Sequence, residues 1–379
     1  MQLEIRLKKI LHEFGLDERK VAQRIADDLK LHRHTIGKLY RSQARNPSLD
    51  VLGRVCDWLE RHGVAGRMLP QALFGVRPSS LWEAVAAPGA VTLYVGEYRQ
   101  MPPPPRPLRW IAQHDALAMA KIVQSLSSSA ADVAERRVPV RIEYVPFRFD
   151  PARPTVGKAL LREDESRARE IFRDIRDTGR TTSSIILGSQ RANHLVELLV
   201  ADTFRCDAFS RPKNRERAAP FYLAFRKEDR VVPSCFGGRA APPGCTTLRG
   251  PGIYYLAKNG WSACPWEQGA QDAGVILISR EKGTAALEMA VFGFSGPGTE
   301  AVAEELLRAP DRFWPPPVEN NGKQVGVYVC RFGLTHHTSA VGDEEVRVKD
   351  VEVIPLDRDI LEEHIRWTSA IESTTGENE

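Results

Sequence analysis

Short runs of apolar, mostly β-branched residues alternate with segments of helical periodicity from about residue 91 onward. Strands interleaved with helices are typical of an α/β domain whose central sheet is largely parallel. The predicted strands are Val91–Val95, Val138–Tyr144, Ser184–Leu187, Phe221–Phe225, Gly274–Ile278, Leu287–Phe292, Val325–Cys330 and Val346–Ile354. The predicted helices are Ala112–Leu126, Glu163–Asp177, Asn193–Phe204, Thr299–Arg308 and Asp359–Ala370.

The N-terminal part of the chain has helical periodicity instead. In residues 3–13 the apolar side chains fall largely on one helical face. Asp17 is a good N-cap for a second helix, and Ser48 is a good N-cap for a fourth one. The predicted helices are residues 3–13, Asp17–Leu29, Arg33–Ser42 and Leu49–Arg61, the last of which is stopped by His62 and Gly63. We therefore expect an all-α bundle over residues 1–68.

Residues 69–107 have the composition of a linker between the two domains. They contain one short helical piece near Leu81, and the segment Met101–Pro107 holds five prolines. Such a segment can form neither a helix nor an inner strand. The α/β domain is accordingly expected over residues 108–370, as one body or as two lobes. The polar tail, residues 371–379, is expected to be disordered.

Positive charge is concentrated at the N-terminus. Residues 1–68 contain 14 Lys and Arg against 9 Asp and Glu, whereas the whole chain has a net charge of only +4. A local positive excess favours a polyanionic partner, because neutralising phosphates releases counterions. The sequence has no transmembrane stretch, and its N-terminus lacks the apolar core of a signal peptide. A cytoplasmic protein without a membrane partner is therefore expected.

The segment Ile25–Ile36 has the spacing of two helices that cross closely at a turn. Its sequence, IADDLKLHRHTI, has an apolar residue, then Ala26, then a turn, and an apolar residue eleven positions after the first. Together with Arg45–Leu49 (RNPSL), it resembles the lambda-repressor-like (Cro/repressor type) helix-turn-helix. The resemblance covers roughly residues 3 to 65. It implies that Ala26 is small because the helices cross there, and that Ile36 and Leu39 point inward.

The resemblance also implies binding of double-stranded DNA. The N-terminal residues of a recognition helix enter the major groove, where Arg33 can bind guanine through two hydrogen bonds. Basic residues farther along are better placed for phosphates, and no acidic residue occurs between Asp28 and Asp50. The residues expected to contact DNA are Arg33, His34, Thr35, Lys38, Arg41 and Arg45.

Two features depart from that family. Lys30 occupies the turn position at which the family usually has glycine, and a lysine takes the required backbone conformation only at some energetic cost. The second helix is also expected to begin several residues before the family's usual start. The alternatives are a four-helix bundle whose charged face is merely solvated, and a helix-turn-helix used for protein contacts.

Two glycine-containing corners in the α/β part follow a predicted strand and precede a predicted helix. Such corners present backbone N–H groups that can bind an anion. The candidate ligand-binding residues are Gly188, Ser189 and Asn193 at the first corner, and Gly296, Gly298 and Thr299 at the second. Structural turns that bind nothing are the alternative. If they bind a ligand, the corners should lie side by side at the carboxyl ends of neighbouring strands, near a topological switch point.

The second corner resembles the phosphate-binding loop of Rossmann-like nucleotide-processing proteins of the lysine-decarboxylase-like/DprA type, over about ten residues around Gly296–Thr299. Ser295 stands where that family has a further glycine. The resemblance implies a Rossmann-like domain and a nucleotide ligand. The full dinucleotide fingerprint and the P-loop are both absent from the sequence.

Several other residues are weaker candidates for chemistry. Asp115 and Glu97 are acids that could line a cleft, although single carboxylates carry no reaction signature. Cys235 precedes a Gly-Gly turn, and His336 with His337 could bind a metal. Aromatic and acidic residues that could wall a ligand site are Trp261, Trp266 and Glu267. The six cysteines lie in no C-x-x-C pair and are expected to be reduced and mostly buried.

The leading hypothesis is a transcriptional regulator that binds DNA as a homodimer through its N-terminal domain. The α/β domain then senses a small molecule, mediates oligomerisation, or both, with no catalytic residue and no resident cofactor expected. The second hypothesis is an enzyme that cleaves or transfers a nucleotide or nicotinamide-type substrate, and a carboxylate positioned beside Gly188 and Gly298 would favour it. The third is a scaffold that binds only proteins.

Overall fold

The structure is a computed structural model, and the chain divides into two compact units, Met1–Ser79 and Ser80–Glu379. It describes residues 2–5, 7–13, 16, 20–41, 43–44, 47–64, 74–77, 80–101, 108–132, 138–149, 158–178, 181–210, 219–229, 233–239, 242, 245, 250–281, 286–320, 323–338 and 344–365.

The described residues of the first unit form four helices and one pair of strands. These elements are β1 (Gln2–Ile5), α1 (Leu7–Glu13), α2 (Val21–Asp28), α3 (Arg33–Tyr40), α4 (Leu49–Arg61) and β2 (Phe74–Arg77). β1 pairs antiparallel with β2, so the expectation of a helix over residues 3–5 is wrong, and the unit extends beyond residue 68. α2 begins at Val21, not several residues early, while Asp17 lies outside the described residues.

The core of the first unit forms where α2, α3 and α4 meet. Ile25 and Ala26 of α2 and Ile36 of α3 are fully buried, as predicted, together with Leu59 of α4. Polar bonds reinforce this packing: the Trp58 indole donates to Asp28 at 2.8 Å, and Arg54 donates to the Leu29 carbonyl at the end of α2. The predicted cap of α4 is confirmed, because the Ser48 hydroxyl accepts from the Val51 amide at 3.3 Å.

The turn between α2 and α3 places one residue in the left-handed region. Lys30 has φ of 51°, and the Leu31 amide donates to the Ala26 carbonyl at 2.8 Å across the turn. A side chain in this conformation costs roughly 1–2 kcal/mol, because its Cβ crowds the following carbonyl oxygen. The strain predicted for Lys30 is therefore present at that residue.

The second unit alternates strands and helices. The helices are α5 (Leu81–Ala86), α6 (Gln113–Asp132), α7 (Lys158–Thr178), α8 (His194–Phe204), α9 (Gly296–Arg308), a 3₁₀ turn (Pro310–Phe313) and a helical segment over residues 358–365. The strands are β3 (Val91–Gln100), β4 (Arg109–Trp110), β5 (Val140–Phe149), β6 (Ser183–Leu187), β7 (Phe221–Ala224), β8 (Gly237–Gly238), β9 (Gly252–Ala257), β10 (Gly260–Pro265), β11 (Gln271–Glu281), β12 (Glu288–Gly293), β13 (Val318–Asn320), β14 (Lys323–Thr338) and β15 (Glu344–Pro355).

The main sheet is mixed, so the expectation of a largely parallel sheet is wrong. In one half β5, β3, β6 and β12 are parallel neighbours, and in the other β11, β14 and β15 continue antiparallel. The reason is connection length: only six residues join β11 to β12, which suffices for a hairpin but not for a crossover. β3 belongs to this sheet, so the expected linker of residues 69–107 includes one of its strands.

Both faces of the main sheet are covered. α5, α6 and α9 pack on one face around Ile122 and Val302. α7, α8 and a second, four-stranded sheet in the order β10–β9–β7–β8 cover the other face around Leu199 and Phe221. Of the strands in this smaller sheet, the sequence predicted only β7. In the described part of the chain, no helix is long and apolar enough to cross a membrane.

Lys30→Gly is expected to stabilise the first unit by about 1 kcal/mol, because glycine adopts positive φ without the Cβ clash. Amide exchange in α2 and α3, measured by mass spectrometry on the full chain, should slow by about fivefold. Lys30→Ala keeps the Cβ and serves as the control, with exchange at the wild-type rate. Faster exchange in Lys30→Gly than in wild type would show that the turn carries no such strain.

Candidate functional site

The basic side of α3 is the first candidate site. Ile36 and Leu39 are buried with at most 1% exposure, whereas Arg33, His34 and Lys38 are exposed and Thr35 is half-buried. The helix begins sharply, because His32 Nδ1 accepts the His34 amide at 3.2 Å. The predicted inward and outward sides of α3 are thus confirmed. Arg45, the last of the predicted DNA contacts, lies outside the described residues.

The charges on this side are largely uncompensated. Arg33 and Lys38 make no ion pair with any described residue, and the sequence holds no acid between Asp28 and Asp50. The guanidinium of Arg41 lies beside Gly37 of α3, and its Nε donates to the side chain of Gln43 at 3.1 Å. The exposed side of α3 therefore presents a positive surface, which lies against no described acidic side chain.

The second candidate site is where the winding of the parallel strands reverses. From β3 the chain passes through α6 to β5 on one side, and from β5 through α7 to β6 on the other side of β3. Ligands of open α/β sheets bind beyond the carboxyl ends of strands at such a point. β6 and β12 are parallel neighbours, so the two glycine corners lie side by side at this edge, as predicted.

Asp115 lies at the point of reversal, in the first turn of α6. It is only 5% exposed, and its Oδ2 lies 3.3 Å from where a Cβ on Gly188 would be. Gly188 has φ of 99°, a conformation that suits glycine. No described residue donates a hydrogen bond to this carboxylate, and burial raises its pKa from 3.8 to about 6. A buried carboxyl that titrates near neutrality is suited to proton transfer.

The first corner is fastened by Asn193. Its Nδ2 donates to the carbonyls of Tyr94 and Leu187 at 3.1 and 3.0 Å, and its Oδ1 accepts the Leu195 amide at 3.1 Å. All polar atoms of this fully buried side chain bond within the protein. Asn193 is thus a structural cap that ties β3 to β6, and its expected role as a ligand contact stays a prediction. Ser189, at the same corner, is half-buried.

At the second corner, the protein's own carboxylate takes the place expected for a phosphate. Asp272, which is fully buried, accepts the Gly298 amide at 3.0 Å and the Ser295 hydroxyl. Burial raises the pKa of Asp272 to about 6, although these hydrogen bonds act in the opposite direction. A Cβ on Gly298 would lie 2.8 Å from the Asp272 side chain, so this glycine is needed for packing.

Thr299 and Gly296 also have internal roles. The Thr299 hydroxyl accepts the Gly293 amide at 2.9 Å and donates to the Ser295 carbonyl at 3.2 Å. The missing Cβ of Gly296 leaves room for His114, since a Cβ there would lie 2.6 Å from its ring. The polar groups of this corner hold Asp272 and α9 in place, and the phosphate-binding role expected for it stays a prediction.

An ion-pair cluster fixes the turn that carries Asp115. His114 Nδ1 lies 2.9 Å from Glu300 of α9, and Lys121 lies 3.1 Å from the same carboxylate. The hydrogen bond to His114 is the largest cause that lowers the pKa of Glu300. Because α6 and α9 are joined in this way, Asp115 has a fixed position relative to the sheet edge.

Glu97 lies at the same edge of the sheet. It follows Val95, the last β3 residue paired with β6, by two positions and is 8% exposed. Its carboxylate accepts a hydrogen bond from Arg99. The sequence named Asp115 and Glu97 as isolated acids, and the structure places both at the carboxyl edge of the parallel strands.

Cys235 lies in a buried, packed environment. Cys235 is buried beside Glu197 and Cys206, and burial is the largest cause that raises the pKa of its thiol. The Glu197 carboxylate accepts the Ser234 hydroxyl at 2.6 Å and the Cys235 amide at 2.7 Å, which is a packing role. A neutral, buried thiol is a poor nucleophile.

The aromatic, acidic and histidine candidates lie in sequence segments far from Asp115. Trp266 packs on Phe294 after β12, with ring centroids 5.9 Å apart, and Arg226 lies over its ring. Glu267 is exposed and Trp261 is half-buried in β10. The side chains of His336 and His337 lie outside the described residues.

Comparison with known proteins gives no relative for this chain. No protein-family model matches it, no curated protein is detectably similar, and no solved structure matches it.

Asp115→Asn is expected to raise the melting temperature at pH 7.5 and to have a smaller effect at pH 4.5. The folded protein holds the Asp115 proton with a pKa of about 6 against 3.8 for the ordinary group. The protonated Asp115 carboxyl therefore adds to the free energy of unfolding. This contribution, up to about 3 kcal/mol, is fully present below pH 3.8 and is lost as pH rises through 6. Asparagine carries no titratable group, so the Asp115→Asn variant does not lose this stability as pH rises.

Thermal melts of both proteins across this pH range measure the difference. Asp177→Asn, which removes an exposed carboxylate from α7, is the charge-matched control and should leave the melting temperature unchanged at both pH values. An Asp115→Asn variant that is equally destabilised at every pH would contradict the assignment of a buried, weakly solvated carboxylate.

Proposed function

We propose that this chain is a DNA-binding regulator whose first unit is a helix-turn-helix domain, with α3 as the recognition helix. The observation that carries the proposal is the division of α3 into two sides. Ile36 and Leu39 face the core, and the exposed side presents Arg33, His34 and Lys38 with no acidic residue nearby in the sequence. A recognition helix needs this arrangement, because its outer side must lie against phosphates and base edges.

The α2–α3 turn supports the proposal on independent grounds. Its tight geometry requires a positive φ at Lys30, the position at which lambda-repressor-like domains usually have glycine. The short turn therefore has a strained residue at this position, where a longer loop would avoid the strain. The side chain of Arg54 in α4 bonds to the Leu29 carbonyl and holds the turn in place. A solvated helical bundle has no comparable need for a fixed angle between α2 and α3.

We further propose that the parallel half of the second unit is Rossmann-like and that this unit makes the regulator a dimer. Helix-turn-helix domains commonly bind two half-sites through two-fold symmetric dimers. The α/β unit is large enough to supply that symmetry.

A second candidate function, nucleotide processing by the α/β unit, is favoured by Asp115. We propose that a nucleotide or nicotinamide-type substrate binds over the ends of β3 and β6, with Asp115 as the acid–base group. A carboxylate beside Gly188 with a pKa of about 6 matches the requirement for proton transfer near neutral pH. Asp272 already fills the N-terminus of α9, so the substrate phosphate must bind elsewhere, for which the half-buried Ser189, next to Gly188 in the chain, offers a hydroxyl.

Arg33→Ala is expected to relax base preference, whereas Lys38→Ala should weaken binding to all duplexes alike and lower the salt dependence by about one phosphate contact. Selection from a randomised duplex pool measures the first effect. Fluorescence anisotropy over a range of salt concentrations measures the second. Arg162→Ala removes one exposed positive charge from α7 in the other unit and should change neither.

Equal behaviour of Arg33→Ala, Lys38→Ala and the control Arg162→Ala would contradict the assignment of α3 as the recognition helix. Failure of the wild-type chain to bind any duplex at low salt would contradict the proposed function altogether.

The wild-type chain is expected to be stabilised by one member of a panel of NAD⁺, ADP-ribose and ATP, by about 2.7 kcal/mol at a ligand concentration near 100 times Kd. If Asp115 is the acid–base group, that ligand is also consumed. Asp115→Asn should then retain the thermal shift but lose about 10²–10⁴-fold in turnover. Thermal melts and chromatography of the nucleotides give the two readouts.

The two readouts separate the hypotheses for the second unit. Stabilisation without consumption in the wild-type chain indicates a sensor, while consumption that is unaffected by Asp115→Asn excludes the proposed role of this residue. No stabilisation by any of the three ligands contradicts a nucleotide site at this edge.

A further inference from the structure

In the described part of the chain, the first half of β5 has no strand on its outer edge. Within the described residues, β5 pairs with β3 alone. Two large apolar side chains near its start are exposed: Ile142 is 38% exposed and Tyr144 is 45% exposed. The side chain of Arg141 is 77% exposed. An open edge strand with exposed apolar residues is a template for pairing with another strand.

The sequence of this edge is complementary to itself. When two copies of β5 run antiparallel about a two-fold axis at Ile142, each Arg141 lies opposite Glu143 of the second copy. In the same register Ile142 lies opposite its own equivalent, and Val140 lies opposite Tyr144 of the second copy. Opposite charges share one face of the pair and apolar residues share the other, as directly opposed residues do in antiparallel sheets.

We propose that two copies of this chain join through β5 and form one continuous sheet. Within a single chain Arg141 forms an ion pair with Glu143 along the strand. On association each of these residues exchanges that partner for its equivalent in the other copy, so no charge is left alone. The interface uses the same surface on both copies, and it therefore closes at two and leaves neither β5 edge unpaired.

The C-terminal part of β5 limits the length of the pairing. Pro146 has no backbone N–H to donate, and the Arg148 amide already donates to Asp164 at 3.0 Å. The Pro139 carbonyl accepts the Val91 amide of β3, so the backbone groups that point away from β3 belong to the alternate residues Val140, Ile142 and Tyr144. The register centred on Ile142 pairs these three positions with one another.

The inference rests on the part of the proposed function that requires a dimer, but not on DNA binding. The mass of the full chain in the absence of DNA tests it, by light scattering after size exclusion at micromolar concentration. The wild-type chain should have twice its mass of 42.4 kDa. Failure of this dimer would leave the binding of a monomer to DNA measurable on its own.

Charge reversal provides the sharpest test of the register. Arg141→Glu and Glu143→Arg should each raise the dissociation constant by about tenfold or more, because like charges then oppose each other twice per interface. A mixture of the two variants should form a heterodimer, in which both opposed pairs again have opposite charges. An ion pair that matters only within one chain cannot be restored by mixing.

Controls address folding and location. The double variant Arg141→Glu/Glu143→Arg should dimerise like wild type. Ile142→Lys, which opposes two lysines at the axis, should give a monomer of unchanged helical circular dichroism. Val348→Lys replaces a residue of β15 that is also 38% exposed, and it should leave the dimer intact.

Four results would overturn the proposal. A wild-type chain that is monomeric throughout the concentration range excludes the dimer. A dimer that persists in Ile142→Lys and in both single charge reversals places the interface on another surface. Monomeric variants that do not associate on mixing exclude the pairing of Arg141 with Glu143, and loss of the dimer in Val348→Lys points to β15.

Discussion

The parallel pairing of β3 with strands on both of its sides is the constraint on which the second unit depends. β5 and β6 flank β3, and the two crossover helices consequently pack on opposite faces of the sheet. This arrangement brings α6, and with it Asp115, to the carboxyl end of β6. It also leaves β5 at the margin, where its second edge is open. The strand order β5–β3–β6 therefore determines both the position of the candidate site and that of the candidate interface.

Buried carboxyl groups give this unit its chemical character. Asp115 and Asp272 are both buried, both have a pKa raised to about 6, and both lie beside glycines at the strand ends. Their surroundings differ: Asp272 receives hydrogen bonds from Ser295 and Gly298, whereas no described residue donates one to Asp115. A satisfied carboxylate holds a turn together, and an unsatisfied one is free to take a proton or a ligand donor.

Most individual elements could be predicted from the sequence, because apolar runs and helix caps are local signals. The direction of the strands could not: β11 is covered on both faces, and such a strand reads as a continuous apolar run whether its neighbours are parallel or antiparallel. The helix predicted over residues 3–5 is wrong because its apolar pattern is ambiguous. Leu3, Ile5 and Leu7 also alternate as in a strand, and residues 2–5 form β1. The candidate site could likewise be predicted only in part. The glycine corners could be located in the sequence, but the role of Asp272 could not. Asp272 is a single acid before an apolar run, and no sequence pattern links it to Gly298.

The pairing of β1 with β2 has a practical consequence for anyone who divides this chain. β2 ends at Arg77, close to the start of the second unit at Ser80, so the first residues of the chain are tied to the last residues before that unit. A fragment cut at residue 68 would leave β1 with no strand to pair with, and a bulky fusion at Met1 would sit beside the same strand pair. Fragments of the first unit should therefore reach Ser79, and affinity tags belong at the other end of the molecule.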